Sequence, residues 1–117
     1  MATIGFLLTA APLQTEHPET AFRIADAALD KGHGVRMFFY LDGVYNPNQF
    51  QTFPDLDIMP KDRIQGLLDK GAEIIACGIC VNARGLQNGR DYVDGIVVGG
   101  LPDFAELVSD CDRLITL

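Results

Sequence analysis

Two cysteines spaced C-x-x-C, Cys77 and Cys80, stand where an apolar run meets a small flexible turn, in the stretch ACGICVNARG at 76–85. Thiols at this spacing offer four kinds of behaviour: half of a metal clip, disulfide exchange, sulfur carriage on one nucleophilic thiolate, or plain packing as small apolar side chains. A structural zinc site needs four ligands, usually as two pairs. Here the third cysteine, Cys111, is alone, and His17 and His33 have no ligand-like spacing. No metal is expected. A thioredoxin-like dithiol also sits at a strand-to-helix junction, but after an early strand rather than a third one. Disulfide exchange between Cys77 and Cys80 stays open, as does passive packing, above all for Cys80.

A thiol at the start of a helix meets a partial positive charge, which favours thiolate over the free-thiol pKa of about 8.5. Arg84, four residues beyond Cys80, is a candidate cationic neighbour or a solvated helix arginine. Carriage of sulfur on Cys77 requires a nucleophilic thiolate and a mouth that docks a partner. It requires no general base, and the sequence does not place His17 or His33 beside Cys77.

The elements that must position these thiols read as follows. TIGFLLT at 3–9 is a continuous apolar run, as in a strand covered on both faces. ETAFRIADAALDK at 19–31 spaces Phe22, Ala25 and Leu29, with Ile24 and Ala28, as a helix that Gly32 ends. VRMFFYL at 35–41 is a second strand, KDRIQGLLDK at 61–70 a short helix, and AEIIA at 72–76 a third strand leading into Cys77. A short helix from Gly78 closes near Gly85 or Gly89. GIVVGG at 95–100 is a strand, Leu101-Pro102 opens a last helix through DFAELVSD, and DRLITL at 112–117 is a terminal strand. The alternation predicts one α/β domain over 1–117, with a mainly parallel sheet of about five strands and helices on both faces.

Ligands of such sheets bind beyond the carboxyl ends of the strands. Residues 9–14, the 43–53 loop, the Cys77 turn and Gly99-Gly100 lie there, so the cysteine pair is expected at a mouth. The polar, proline-broken segment at 42–60 is long enough to carry function or a partner surface. Its apolar residues Val44, Tyr45, Phe50 and Phe53 are expected to cover the mouth or a neighbouring subunit, unless the loop folds back on its own sheet.

The whole chain narrows the function classes. In 117 residues a net charge of −7, with nine scattered Lys and Arg, argues against nucleic-acid or membrane-surface binding, which needs clustered cations. The N-terminal ATIGFLLTAAP lacks a cationic leader, is broken by Pro12, and at about ten apolar residues is too short to span a bilayer. With an odd count of three cysteines, a reducing cytoplasm with free thiols is expected.

The chain resembles the DsrE/TusD sulfur-relay family, with its YchN-like relatives, over essentially its full length. The resemblance rests on IGFLLTAAP, on KGHGVRMFFYLDGVYNPNQF, on CGICVNARG, and on GLPDFAEL with CDRLITL. FFYLDGVYNPNQF is its most specific part. The family's sulfur-accepting cysteine lies eight residues before the glycine of an Arg-Gly turn, and Cys77 stands eight before Gly85. The resemblance therefore implies a three-layer α/β/α sandwich, a cytoplasmic protein and a persulfide on Cys77. It implies donor and acceptor proteins, assembly into homo- or hetero-oligomers from dimer to hexamer, and no metal or organic cofactor. Gly78, Ile79 and Arg84 of the turn, with Tyr45 and Asn46, are the expected binding residues. Two residues depart from the relay branch: the additional Cys80, and the single Arg84 in place of a double arginine. Cys80 is either a resolving thiol or a passive helix residue. A thiol-disulfide protein using both cysteines, and a partner- or ligand-binding subunit with an idle Cys77, are the alternative functions.

Overall fold

The computed structural model describes residues 1–54 and 56–117. Five apolar runs form the strands β1 (Thr3–Leu8), β2 (Gly34–Phe39), β3 (Glu73–Cys77), β4 (Val97–Gly99) and β5 (Arg113–Thr116). All pair in parallel, in the order β4-β3-β2-β1-β5. The central strands carry the largest buried side chains, with Phe6, Leu8, Met37, Phe38 and Phe39 each 0% exposed. Each such burial is worth about 1.5–3 kcal/mol of transfer free energy, which is why continuous apolar runs occupy the middle of the sheet.

Helices α1 (His17–Asp30) and α2 (Pro60–Asp69) cover one face. α1 begins with Pro18 in its first turn, where the missing N–H has no helical partner to lose. It turns Phe22 and Ala25 inward, and Phe22 meets Phe39 edge-on at 6.3 Å between ring centroids. α4 (Leu101–Asp110) covers the other face through Phe104, which lies 5.1 Å from Phe38, and through the buried Leu107. The sheet and its two helical layers form an α/β/α sandwich. α3 (Gly78–Ala83) is a short helix that continues directly from β3, and Gly85, at φ +70°, follows its end.

The chain leaves β2 at Tyr40 and enters a 3₁₀ turn, Leu41–Tyr45. Gly43 presses on the end of β1 so closely that a Cβ there would stand 2.1 Å from the Leu8 carbonyl oxygen. This contact drives Val44 into the core at 0% exposure, which corrects the expectation that Val44 serves a mouth or partner surface. The following residues fold back on the segment after α3: Asn48 bridges Tyr92, and the Gln49 N–H donates to the Asp91 carbonyl at 2.7 Å. Tyr45 and Phe53 are half-buried, while Phe50 stays 66% exposed. Residue 55 of this loop lies outside the described residues.

Candidate functional site

The site arises from a reversal of the sheet's winding. Cys77, the last residue of β3, pairs with Gly99, the last of β4. Beyond that pair the strands part. β4 feeds α4, which covers the Phe38 face, whereas the chain leaving α3 returns along α2, where Gly95 abuts Leu68. Adjacent parallel strands whose exits diverge to opposite faces leave a crevice at their carboxyl ends, the usual ligand position in doubly wound sheets. Here it is a cavity of about 400 Å³ lined by Tyr40, Cys77, Gly78, Ile79, Cys80, Asn82, Gly99, Gly100 and Leu101. Gly99 is required by close approach, because a Cβ there would fall 2.4 Å from the Asp103 carboxylate. That carboxylate accepts the Gly100 N–H at 2.8 Å and so caps α4.

Both thiols are free, and both belong to the edge of the core as well as to the cavity wall: Cys77 is 3% and Cys80 6% exposed. The crevice gives a reagent access to both, since both line it. Its rim is apolar, with Ile79 at 79% and Leu101 at 51% exposure, and the edge strand adds Val97 and Val98.

The Cys80 sulfur accepts the Leu41 N–H at 3.2 Å. Burial pushes the Cys80 thiol above its ordinary pKa, the Leu41 N–H acts in the opposite sense, and the adjacent Cys77 thiol adds to the rise. Leu41 holds its N–H there at φ +52°, a left-handed conformation that costs an L-residue about 1–2 kcal/mol. The neighbouring residue secures it: the Asp42 carboxylate accepts Arg84 Nε at 2.9 Å and pairs with Nη2 at 2.8 Å. Arg84 Nη1 also donates to the Cys80 carbonyl at 3.2 Å.

The expected site residues divide accordingly. Cys77, Gly78, Ile79 and Cys80 meet at the cavity. Arg84 is half-buried and its guanidinium is committed to Asp42, so it acts as a clamp between α3 and the 3₁₀ turn. Asn46 is 0% exposed and does not line the cavity; its side-chain amide donates to the Ala10 and Gly43 carbonyls, each at 2.9 Å. Tyr45 is half-buried and also outside the lining. His33 lies at the amino end of the sheet, its Nδ1 accepting the Ala2 N–H at 3.0 Å, and His17 starts α1. Among the described residues, no three His, Cys, Asp or Glu side chains converge as a metal-binding group. Sequence reasoning misses Tyr40, Leu41, Asp42 and Leu101. The only signal for Leu101 is its place after Gly99-Gly100, and Asp42 reads simply as the Asp of a D-G turn.

A doubly wound parallel α/β/α protein with a paired-cysteine crevice at its winding reversal is the class these features define. The model of the DsrE/DsrF-like family matches residues 2–117, and the chain belongs to that family. Protein MK0008 of Methanopyrus kandleri is 30% identical over 118 residues, covering 96% of this chain and 91% of its own. The sulfurtransferase TusD of Pectobacterium carotovorum is 32% identical over 129 residues, covering 98% of each. The crystal structure of the ychN protein from E. coli superposes with a TM-score of 0.90 over 100% of both chains at 22% identity, which shows the shared fold.

Proposed function

We propose that this protein is a sulfur-relay carrier that accepts a sulfane sulfur on Cys77 as a persulfide and passes it to a thiol of a partner protein. The observation that carries the reading is the position of Cys77: the last residue of β3, at the winding reversal, opening onto an apolar-rimmed cavity. The sulfurtransferase name of its TusD relative supports the same chemistry. In loading, the Cys77 thiolate attacks the terminal sulfur of a donor persulfide, and the donor leaves as thiolate. In transfer, the acceptor thiolate attacks the terminal sulfur on Cys77, and Cys77 leaves as thiolate. Neither step needs an external oxidant or reductant. The N–H groups of Gly78, Ile79 and Cys80, in the first turn after Cys77, are the stabilisers of the persulfide's charge.

A nearly buried thiol dictates the partner's shape, since the acceptor must insert its cysteine into the crevice. Ile79 and Leu101 at the rim, with the exposed Val97, Val98 and Phe50, supply apolar area for an acceptor or for further subunits, identical or homologous. No helix among the described residues is long and apolar enough to cross a membrane. Reduced cysteines suit a cytoplasmic carrier.

The test is incubation with a sulfane-sulfur donor followed by peptide mass spectrometry. The expected result is a gain of one sulfur atom on Cys77, absent in Cys77→Ser. Sulfur that still loads on Cys77→Ser but not on Cys80→Ser would make Cys80 the acceptor instead, and failure of the wild type and of both single variants to load would end the carrier reading.

A further inference from the structure

We infer that Cys80 is the resolving thiol of this site: its sulfur attacks Cys77 Sγ of the loaded form, expels the terminal sulfur as hydrosulfide and closes a Cys77–Cys80 disulfide. The inference rests on the persulfide reading of Cys77. It turns a simple carrier into one that can also discharge its cargo without an acceptor protein.

Three observations converge on it. The first is spacing. Cys77 immediately precedes α3 and Cys80 is its third residue. One helical turn separates Cα atoms by about 5 Å, inside the roughly 4.4–6.8 Å that a disulfide spans. Both residues line the same cavity. The bond can therefore close by side-chain rotation.

The second is the donor at Cys80. A cysteine that merely packs needs no polar partner, yet this one accepts the Leu41 N–H at 3.2 Å. The donor is held in place at a cost. Leu41 is left-handed, Asp42 is clamped by Arg84, and Gly43 is lodged against the Leu8 carbonyl. A hydrogen bond to sulfur favours the thiolate over the thiol, so the Leu41 N–H offsets part of the burial that raises the Cys80 thiol and aims a donor at its sulfur. The third is access. Cys80 is 6% exposed and lines the cavity together with Cys77, and that cavity of about 400 Å³ gives the terminal sulfur room to leave.

The electrons balance within the site. Cys80 gives its proton to solvent, and its lone pair forms the new bond to Cys77 Sγ. The bond from Sγ to the terminal sulfur breaks, and that sulfur departs with the electron pair as HS⁻. The Cys80 sulfur is oxidised and the sulfane sulfur is reduced. An external dithiol or low-molecular-weight thiol then supplies two electrons to restore the thiols.

The experiment loads the purified protein with inorganic polysulfide under anaerobic conditions and removes the excess by gel filtration. Released hydrosulfide is trapped with monobromobimane, and the protein is followed by intact mass. The wild type should release one hydrosulfide per loaded chain as a species two hydrogens lighter than the unloaded dithiol appears, with residues 77 and 80 joined. Cys80→Ser and Cys80→Ala should hold their sulfur at least about tenfold longer. Release at the wild-type rate from both variants, or migration of the sulfur to Cys80 without hydrosulfide, overturns the inference. Unloaded protein treated with oxidised glutathione must also form the Cys77–Cys80 bond, and failure there overturns it whatever the loading result. A wild type that forms this bond while Cys80→Ser never gains sulfur overturns the persulfide reading and the hydrosulfide step with it, while leaving the pairing of the thiols standing.

Discussion

Replacing Gly43 with alanine tests the contact that seats the 3₁₀ turn against the sheet. The added Cβ would lie 2.1 Å from the Leu8 carbonyl oxygen, 3.0 Å from its carbon and 3.4 Å from the Thr9 Cα. All three are backbone atoms, and the Leu8 oxygen is held by the Tyr40 N–H at 3.0 Å. No flexible side chain can yield, so the turn must retreat by about 1 Å. Overpacking of this kind costs about 1–3 kcal/mol. Weakening the Tyr40 hydrogen bond adds about 1 kcal/mol, and partial exposure of Val44 adds a similar amount. The expected loss is therefore about 3–5 kcal/mol, or about 10–20 °C in Tm for a chain of this size. Gly66→Ala is the matched comparison: it lies inside α2 with nothing within 4 Å of the place its methyl group would take, and should stabilise by about 0.5–1 kcal/mol. Urea unfolding at one fixed protein concentration measures both, since any assembly would make the midpoint concentration-dependent. A Gly43→Ala protein within about 0.5 kcal/mol of the parent refutes the seated turn, and with it the account of how Leu41 is aimed.

Three further outcomes are expected. Cys77→Ser buries a hydroxyl where the thiol is 3% exposed, so besides losing sulfur loading it should lose about 1–2 kcal/mol of stability; native circular dichroism with no loading is the diagnostic pair. Asp42→Asn removes a half-exposed ion pair and should cost less than about 1 kcal/mol, yet by freeing Leu41 it should slow hydrosulfide release from the loaded protein; an unaltered rate would separate the clamp from the chemistry. Tyr92 is 2% exposed and donates to the Val44 carbonyl, and burial pushes its phenol above the ordinary range. A folded-state pKa above the unfolded one gives stability that is complete below about pH 10 and falls as pH rises, by up to about 1.4 kcal/mol per pH unit. Tyr92→Phe should lose about 1–3 kcal/mol at neutral pH and show a flatter alkaline limb in urea titrations; equal limbs would contradict the buried phenol.

The fold was legible because most of its elements obey local rules. Runs such as TIGFLLT and VRMFFYL lack alternation, as strands covered on both faces must, and Gly32 and Gly71 mark helix ends at φ +85° and +98°. Boundaries slipped where neighbours decide them. The second strand stops at Phe39 rather than continuing to Leu41, because Leu41 turns left-handed toward Cys80. Val44 reads as loop surface from the polar residues around it. Its burial depends on Gly43 meeting Leu8, a contact 35 residues distant in the chain that no local pattern records.

For the site, the position of Cys77 was legible and its surroundings were not, for a single topological reason. That a strand delivers Cys77 to a helix follows from AEIIA and the glycine after the cysteine. That a crevice opens there depends on strand order: only when β4 lies beside β3 and sends its helix to the other face do the exits diverge. Strand order comes from packing of the whole sheet, and so Tyr40 and Leu101, from separate strand ends, enter the lining without any motif to announce them. The same long-range assembly decides Arg84. Spacing makes it a cation one turn beyond Cys80, free to face a sulfur anion. The fold instead brings Asp42 to it across 42 residues, and a charge-assisted pair at 2.8–2.9 Å outcompetes a more distant thiol for the guanidinium. The cation then serves the sulfur indirectly, by fixing the turn whose Leu41 N–H reaches Cys80.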